Sequence, residues 1–303
     1  MEIQNVGKTY VITGATSGIG QAAAEMLVRS GASIIGVGRS LGRCRLEQAR
    51  LARLNPQGKV AFLTADLSLQ ADVRRLAHDI EDQLEAWNLT ALDGLLNNAG
   101  TFTYWMKLTP DGFETQWAVN HLAPFLLTRQ VLPLLQAAPW VRIVTVSSGS
   151  HYGAHLNWKD IQLRRSYNGL RAYGSTKLAN VLFTQEINRL LGEKSTVRAF
   201  AADPGLVQTD IGLKGNPGLV NWIWKLRRSG GISAQESARG IVYLLTEEGI
   251  QGADDPYWKH GKPKKPSRRA EDEQAATRLW QISCQMCGLP WQLNITSEAA
   301  YAN

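Results

Sequence analysis

Short apolar runs alternate with segments of helical spacing along most of the chain. The runs that predict strands lie at 10–12, 33–37, 60–65, 92–97, 141–147 and 197–202, and helical spacing occurs at about 20–30, 69–87, 112–136 and 170–191. Strands that are apolar on both faces and alternate with helices are typical of a parallel sheet covered on both sides. Right-handed crossovers then predict an α/β fold with one Rossmann-type, doubly wound sheet of about seven strands and helices on both faces, with Tyr257-Trp258 as a candidate last strand.

The remaining segments fit one domain over 1–303. A length of 303 residues could hold two domains, but the strand and helix pattern uses the chain as far as about residue 202, so one sheet accounts for it. The segment 206–232 contains five glycines and has weak periodicity, which predicts a mobile substrate lid. Helical spacing at 234–246 and 271–287 predicts two final helices.

Composition and charge exclude several classes of protein. Hydrophobic residues make up 44% of the chain and charged residues 19%, as in ordinary globular proteins. The formal charge of +7 comes almost wholly from segment 259–269, which holds six positive residues and no acid, so we expect a solvated loop and no nucleic-acid partner. The polar start at 1–8 and the absence of about 18 consecutive apolar residues predict neither a signal peptide nor a transmembrane segment. Three cysteines are too few for a disulfide framework, so we expect a reducing, cytoplasmic location.

A glycine-rich turn follows the first predicted strand and opens the first helix. Glycines allow close approach of the backbone to a pyrophosphate, and a helix N-terminus offers N–H groups and partial positive charge. The spacing here is G-x-x-x-G-x-G, which alone also fits a tight turn without a ligand. The candidate cofactor-binding residues of this turn are Gly14, Thr16, Ser17, Gly18, Ile19 and Gly20.

The end of the second predicted strand bears on the choice of cofactor. An acidic residue there would bond the adenosine ribose hydroxyls and select NAD, but the sequence has Arg39. A guanidinium can stack on adenine and pair with a 2′-phosphate. The sequence therefore favours NADP, the alternative being an ordinary exposed arginine.

A tyrosine and a lysine four residues apart begin the predicted helix over 170–191. Residues with this spacing lie on one helix face, and a neighbouring ammonium lowers the pKa of a phenol from its ordinary value of about 10. Tyr173 and Lys177 are therefore candidates for an acid/base pair, although the spacing alone is common. Ser147-Ser148 ends the fifth predicted strand, at the sheet edge where such folds bind ligands.

Other polar residues fall at the same predicted edge. Residues 97–100 end the fourth strand and Asp203-Pro204-Gly205 ends the sixth. Asn120 lies inside a predicted helix, an unfavourable place for asparagine unless its side chain is used. These strand ends could converge on one crevice.

Together these motifs resemble those of the short-chain dehydrogenase/reductase family, over about residues 8–289. The matching motifs are 13–20, Asp66-Leu67, 97–100, Asn120, 146–148, 173–177 and Pro204-Gly205. Within the family the chain is most similar to the retinol-dehydrogenase-like group. That similarity rests on the 25-residue spacing from Ser148 to Tyr173 and on the runs 175–180 and 279–284. Members of the group usually prefer NADP, in agreement with Arg39.

The resemblance implies a role for each matched residue. Tyr173 would donate a proton to a carbonyl oxygen while NADPH delivers hydride, and Ser148 would hold that oxygen. Lys177 would lower the pKa of Tyr173 and bond the nicotinamide ribose, and Asn120 would position a water linking Lys177 to solvent. Further cofactor contacts are implied at Asp66, Leu67, Asn98, Ala99, Gly100, Pro204, Gly205, Val207 and Thr209.

The substrate is less defined by the sequence. Aromatic residues in the predicted lid, such as Trp222 and Trp224, and in the segment 149–172 suit a hydrophobic alcohol, aldehyde or ketone. They could instead pack the lid onto the body or make a peripheral membrane contact, and a homodimer through the long helices is also open.

The sequence leaves two other functions open and disfavours a metal site and a serine hydrolase. An NADPH-dependent carbon–carbon double-bond reductase similar to protochlorophyllide reductase, or a non-catalytic NADP-binding sensor or scaffold, would share much of the pattern. No metal site is expected, because the pairs His151/His155 and Cys284/Cys287 lack further ligands and fit surface histidines and a packed helix face. A serine hydrolase is disfavoured because no G-x-S-x-G motif is present.

Overall fold

One eight-stranded sheet forms the centre of the computed structural model, which describes residues 5–55, 58–207, 231–250 and 255–293. In sheet order the strands run β3-β2-β1-β4-β5-β6-β7-β8. Their bounds are β1 Thr9–Thr13, β2 Ser33–Gly38, β3 Val60–Thr64, β4 Gly94–Asn97, β5 Val141–Val146, β6 Val197–Asp203, β7 Tyr257–Lys259 and β8 Lys262–Pro263. Strands β1 to β7 pair in parallel, which confirms the predicted doubly wound sheet.

The sheet order reverses between β1 and β4. The chain proceeds from β1 outward through β2 and β3, then crosses back so that β4 pairs with the other side of β1. Ligands of open α/β sheets bind at such a reversal, outside the carboxyl ends of the strands. The glycine turn after β1 and the residues after β4, β5 and β6 therefore lie at one edge.

Helices cover both faces of the sheet. Their bounds are α1 Gly18–Arg29, α2 Leu41–Ala52, α3 Gln70–Ala86, α4 Thr115–Trp117, α5 Ala123–Gln136, α6 Gly169–Leu191, α7 Ala234–Thr246 and α8 Glu273–Cys287. Apolar residues of α1 and α7 form the core on one face, and those of α3, α5, α6 and α8 form the core on the other. All six residues of β5 and all five of β1 are buried, as expected for strands covered on both sides.

Three elements differ from the sequence-based expectation. The eighth strand, β8, adds an antiparallel pair at the edge beyond the seven expected strands, through a two-residue turn in which His260 and Gly261 both have positive φ. The helix α2 was not predicted, because only Cys44 and Leu51 of its twelve residues are buried. The helix expected over 112–136 begins at Thr115 and contains a π-helical turn at Ala118–Leu122.

The predicted lid over 206–232 lies outside the described residues, apart from its two ends. Those ends are close together, since Val207 and Ile232 form a parallel bridge and the Ile232 N–H donates to the Leu206 carbonyl at 2.8 Å. Across the described ranges, no helix combines the length and the apolar character needed to cross a bilayer.

Candidate active site

Close backbone contacts shape the glycine turn between β1 and α1. Gly14 and Gly18 have φ values of 69° and 59°, in the left-handed region that favours glycine. A Cβ on Gly20 would lie 2.4 Å from Asn98 Nδ2 and 2.5 Å from the Gly14 carbonyl oxygen. The turn therefore has no room for a side chain at Gly20.

Asn98 ties this turn to the end of β4. Its Nδ2 donates to the carbonyl of Thr13 at 2.9 Å and to that of Gly14 at 3.4 Å. In return, the Thr13 hydroxyl oxygen accepts the N–H groups of Asn98 and Ala99, both at 3.0 Å. The Asn98 side chain is thus used to hold the turn, and Asn98, Ala99 and Gly100 stay half-buried beside it.

The N-terminus of α1 lies open toward the sheet edge. Ser17 has an extended backbone, and among the described residues no side chain caps the first turn of the helix. The first turn also lacks an acidic residue. Its N–H groups are therefore suited to an anionic ligand.

The end of β2 carries Arg39 into solvent. Arg39 and Arg43 are both exposed, and the Ser40 hydroxyl between them accepts the N–H of Arg43 as the N-cap of α2. A Cβ on Gly38 would lie 2.5 Å from Thr16 Cγ2, so the glycine turn and the end of β2 are in contact. Asp66, after β3, is half-buried and accepts the N–H of Ser68 at 3.0 Å.

Tyr173 lies on the first turns of α6, whose N-cap Asn168 accepts the N–H groups of Leu170 and Arg171. The Tyr173 ring packs edge-on to the Phe102 ring, with 6.0 Å between the two centroids. The Ser148 hydroxyl acts on the Tyr173 phenol and lowers its pKa, and Lys177 Nζ lies 5.5 Å from the ring centroid. The hydrogen of the Ser148 hydroxyl is donated to the Ser150 hydroxyl at 3.2 Å. The structure therefore brings Ser148, Tyr173 and Lys177 together from β5 and α6.

Lys177 is almost fully buried. Its ammonium donates to the carbonyl of Val146 at 2.8 Å, an oxygen that also accepts from Asn180 Nδ2 at 3.2 Å. The Ser147 hydroxyl donates to the Lys177 carbonyl at 2.8 Å, which fixes α6 against the end of β5. Burial lowers the pKa of Lys177 to about 8.

The pKa of Tyr173 is raised to about 12, first by burial and then by the charge of Asp203, while the Ser148 hydroxyl lowers it. This direction is opposite to the one that the Tyr173–Lys177 spacing predicts. The reason is that a buried phenolate loses its hydration beside a carboxylate, whereas the Lys177 ammonium donates to the Val146 carbonyl.

Asn120 lies within the π-helical turn. Its Oδ1 accepts the N–H of Thr101 at 2.7 Å, and its Nδ2 donates to the Thr101 carbonyl at 2.9 Å and the Thr176 hydroxyl at 3.3 Å. π-helical turns often occur at functional sites. Asn120 thereby joins the loop after β4 to the helix that bears Tyr173.

The segment after β6 supplies the last predicted contacts. Gly205 has a φ of 76°, and its N–H donates to Asp203 Oδ1 at 2.9 Å, while the Pro204 carbonyl accepts from the Ser237 hydroxyl at 3.0 Å. Val207 is half-buried in its bridge with Ile232. Thr209 lies outside the described residues.

The sequence did not indicate the burial of two side chains beside the site. Asp203 is a buried carboxylate whose charge acts on Tyr173, and His151, expected on the surface, is completely buried behind Ser148. His155 is exposed and lies 3.2 Å from the Arg171 guanidinium. In the parts of the chain that the structure describes, no group of three or more His, Cys, Asp or Glu side chains could hold a metal ion.

Comparison with known proteins identifies the family. A family model described as short chain dehydrogenase matches residues 8–218. The chain belongs to the short-chain dehydrogenase family. It is 35% identical over 294 residues to human retinol dehydrogenase 13, covering 93% of this chain and 85% of that protein. The resemblance to the retinol-dehydrogenase-like group is confirmed.

Two solved structures share the fold. The landomycin C-6 ketoreductase LanV with bound NADP and rabelomycin has a TM-score of 0.64 and 25% identity, covering 85% of this chain and 96% of that one. An uncharacterized protein from Mycobacterium paratuberculosis has a TM-score of 0.74 and 31% identity, covering 96% and 97%. This short-chain dehydrogenase is therefore an NAD(P)-dependent oxidoreductase with a nucleotide-binding Rossmann fold and a small-molecule substrate.

Proposed function

We propose that this dehydrogenase uses NADP(H) to interconvert a hydrophobic alcohol and its aldehyde or ketone, with Tyr173 as the general acid/base. The observation that carries the proposal is the convergence of the Ser148 hydroxyl, the Tyr173 phenol and buried Lys177 at the same sheet edge as the glycine turn. A hydroxyl and a phenol that lie close together can both bond one carbonyl oxygen, where charge develops during reduction.

In the reducing direction the bound dinucleotide supplies the hydride, and this chain's residues supply the proton. Tyr173 has a pKa of about 12, so it is a phenol near neutral pH and holds the proton to be donated. Ser148 orients the substrate oxygen toward that phenol. Lys177 would bond the nicotinamide ribose of the cofactor, and Asn120 would position a water by which Lys177 exchanges protons with solvent. General acid catalysis of this kind contributes about 10²–10⁴ in rate.

The residues of the sheet edge fit a dinucleotide. The glycine turn allows close approach, and the uncapped N-terminus of α1 suits the pyrophosphate. Exposed Arg39, with Arg43 on the first turn of α2, suits a 2′-phosphate, while Asp66 and Leu67 would border the adenine. The NADP bound to the LanV ketoreductase supports the same cofactor.

Aromatic side chains on the loop after β4 support a hydrophobic substrate. Phe102 packs on Tyr173, and farther along the same loop Tyr104 and Trp105 pack edge to face, 4.8 Å between centroids. Trp105 is 66% exposed, and Leu170, next in sequence to the Gly169 that packs against Tyr104, is 54% exposed. An apolar rim of this kind favours an apolar carbonyl compound over a charged one.

The test is a panel of carbonyl substrates assayed with NADPH and NADH separately. We expect NADPH-dependent reduction of retinal, prenyl-type or long aliphatic aldehydes, and a loss of at least about 10²-fold in Tyr173→Phe with unchanged NADPH binding. A clear NADH preference would contradict the cofactor proposal. An enal that yields saturated aldehyde would indicate the double-bond reductase, and NADPH binding without turnover would indicate a sensor.

A further inference from the structure

His151 uses both of its ring nitrogens in hydrogen bonds to the backbone. It lies three residues after Ser148, at the end of the 3₁₀ turn Gly149–His151, and its side chain has no solvent exposure. Nδ1 lies 2.8 Å from the carbonyl oxygen of Ser148, and Nε2 lies 3.1 Å from the backbone nitrogen of Ser267. One ring therefore joins the Ser148 turn to a segment 116 residues away.

These partners fix the tautomer of His151. The Ser267 N–H can only donate, so Nε2 is the acceptor and carries no hydrogen. Nδ1 then carries the hydrogen and donates it to the Ser148 carbonyl. A protonated ring would lose the bond to Ser267, and burial indeed lowers the pKa of His151. The imidazole is therefore held neutral in one orientation.

Aromatic rings and charged groups from other elements hold the imidazole in place. Its centroid lies 4.1 Å from that of Tyr152 and 4.6 Å from that of Tyr257 on β7. Two charges act on the imidazole. One is the Asp203 carboxylate, which accepts a hydrogen bond from Tyr257, and the other is the Lys264 ammonium, which lies 4.8 Å from the Tyr152 centroid. Packed against two aromatic rings and hydrogen-bonded at both nitrogens, the imidazole has little freedom to turn away from Ser148.

The segment 264–269 is attached to the same turn at two further points. The Tyr152 hydroxyl donates to the Lys265 carbonyl at 2.6 Å, and the Arg269 guanidinium donates to the Ala154 carbonyl at 3.0 Å. With the His151–Ser267 bond, three hydrogen bonds join this segment to residues 151–154. The sequence predicted a solvated loop over 259–269, but the second half of that range packs directly behind the Ser148 turn.

We propose that His151 is a positioning residue that sets the orientation of the Ser148 hydroxyl by fixing the Ser148 carbonyl against the segment 264–269. This inference rests on the proposed function, in which Ser148 holds the substrate oxygen. The Ser148 hydroxyl oxygen also accepts the Ser150 N–H at 3.2 Å, so movement of the turn would displace it. Displacement of a group that bonds the reacting oxygen lowers kcat more than it lowers cofactor affinity.

Two amide substitutions separate the two hydrogen bonds of the ring. His151→Asn places an amide nitrogen near the Nδ1 position and keeps a donor for the Ser148 carbonyl, whereas His151→Gln places an amide oxygen near Nε2 and keeps an acceptor for Ser267. We expect H151Q to lower kcat about tenfold and H151N to lower it much less, with NADPH binding unchanged in both. Equal losses in the two variants, in proportion to their losses of Tm, would overturn the proposal.

A double-mutant cycle tests whether His151 acts through Ser148. In a Ser148→Ala background, assayed at stoichiometric enzyme, H151Q should cause no further loss of the residual rate. The same fold-loss with and without Ser148 would mean that His151 acts elsewhere. Amide hydrogen exchange of the peptide spanning 148–152 does not depend on turnover: H151Q should accelerate it more than H151N, and unchanged exchange would contradict the proposal even if the wild-type enzyme reduced no carbonyl in the panel.

Discussion

Tyr257 donates its phenolic hydrogen to the Asp203 carboxylate at 2.8 Å, which places a buried anion at the end of β6 beside the Tyr173 phenol. The same carboxylate accepts the Gly205 N–H, and the Lys259 ammonium is 4.0 Å away. Its charge raises the pKa of Tyr173, which is already raised by burial. Asp203 therefore favours the protonated tyrosine, the form that donates a proton in carbonyl reduction.

Replacing Asp203 by Asn should shift the pH dependence of alcohol oxidation to lower pH. In the proposed mechanism oxidation requires the Tyr173 phenolate, and loss of a neighbouring anion lowers the pKa of a phenol. If the pKa falls by about one unit, oxidation at a fixed pH below it becomes about tenfold faster, while reduction near pH 7 changes little because the phenol stays protonated. The measurement is kcat/KM for oxidation against pH in wild type and D203N.

Lys259→Met is the matched control for this experiment. It removes a cation near the same carboxylate, so its effect should be of opposite sign, and smaller because Lys259 is partly exposed. If both substitutions moved the profile in the same direction, the electrostatic explanation would be wrong and a structural disturbance would account for the shift.

The turn after β1 should not tolerate a methyl group at Gly20. The added carbon of Gly20→Ala would lie within 2.5 Å of both Asn98 Nδ2 and the Gly14 carbonyl oxygen, so the turn or the end of β4 must move. We expect a lower Tm and NADPH binding weakened by at least about tenfold, because the turn loses its shape. Calorimetric titration with NADPH and thermal unfolding measure the two effects.

Gly42→Ala provides the comparison for Gly20→Ala. Gly42 lies on the first turn of α2, has no atom within 4 Å of its added Cβ, and should therefore gain about 0.5–1 kcal/mol of stability. NADPH binding should be unaffected. Equal behaviour of the two alanine variants would contradict the steric role of Gly20.

Cofactor preference should depend on Arg39. Arg39→Ala removes the guanidinium proposed to pair with the 2′-phosphate, and a charge-assisted bond contributes about 1.5–3 kcal/mol, so NADPH preference over NADH should fall about 10- to 100-fold. Arg53→Ala removes the same charge just beyond the other end of α2 and should leave the ratio unchanged. The ratio of kcat/KM values for the two cofactors is the measurement, and a ratio unaffected by R39A would exclude this role.

The sequence predicted the sheet well, because its strands are buried on both faces and read as uninterrupted apolar runs. The glycine turn was equally visible, since its spacing follows directly from backbone geometry. The helix α2 was not predicted because it buries few side chains. Cys44 and Leu51 alone do not give the helical spacing of apolar residues in a largely polar segment.

The surroundings of the site were less predictable, because they depend on contacts between distant segments. Asp203 acts on Tyr173 and receives a bond from Tyr257, 54 residues away, which only the pairing of β6 with β7 brings close. His151 is buried because the segment 264–269 returns over it. A sequence pattern indicates that a side chain is polar, but it does not indicate which distant segment removes it from water.

A second buried histidine links the helix of Tyr173 to the C-terminal helix. His121, in the π-helical turn, has Nδ1 3.4 Å from Asn180 Oδ1 and Nε2 2.8 Å from the Ser283 hydroxyl of α8. Asn180 donates its amide hydrogen to the Val146 carbonyl, so its oxygen accepts from His121 and the Ser283 hydroxyl donates to Nε2. The network requires neutral His121, and burial lowers its pKa to about 4.

His121 should therefore make the protein less stable as the pH falls from about 6.5 to about 4. In this range the unfolded chain protonates this histidine, whose ordinary pKa is about 6.5, and the folded protein does not, so the free energy of unfolding falls by about 2 kcal/mol between pH 7 and pH 5. His121→Gln should remove that part of the slope in urea unfolding measured across this range. His78→Gln, an exposed site on α3, should keep the wild-type slope, and an unchanged slope in H121Q would show that His121 is protonated in the folded protein.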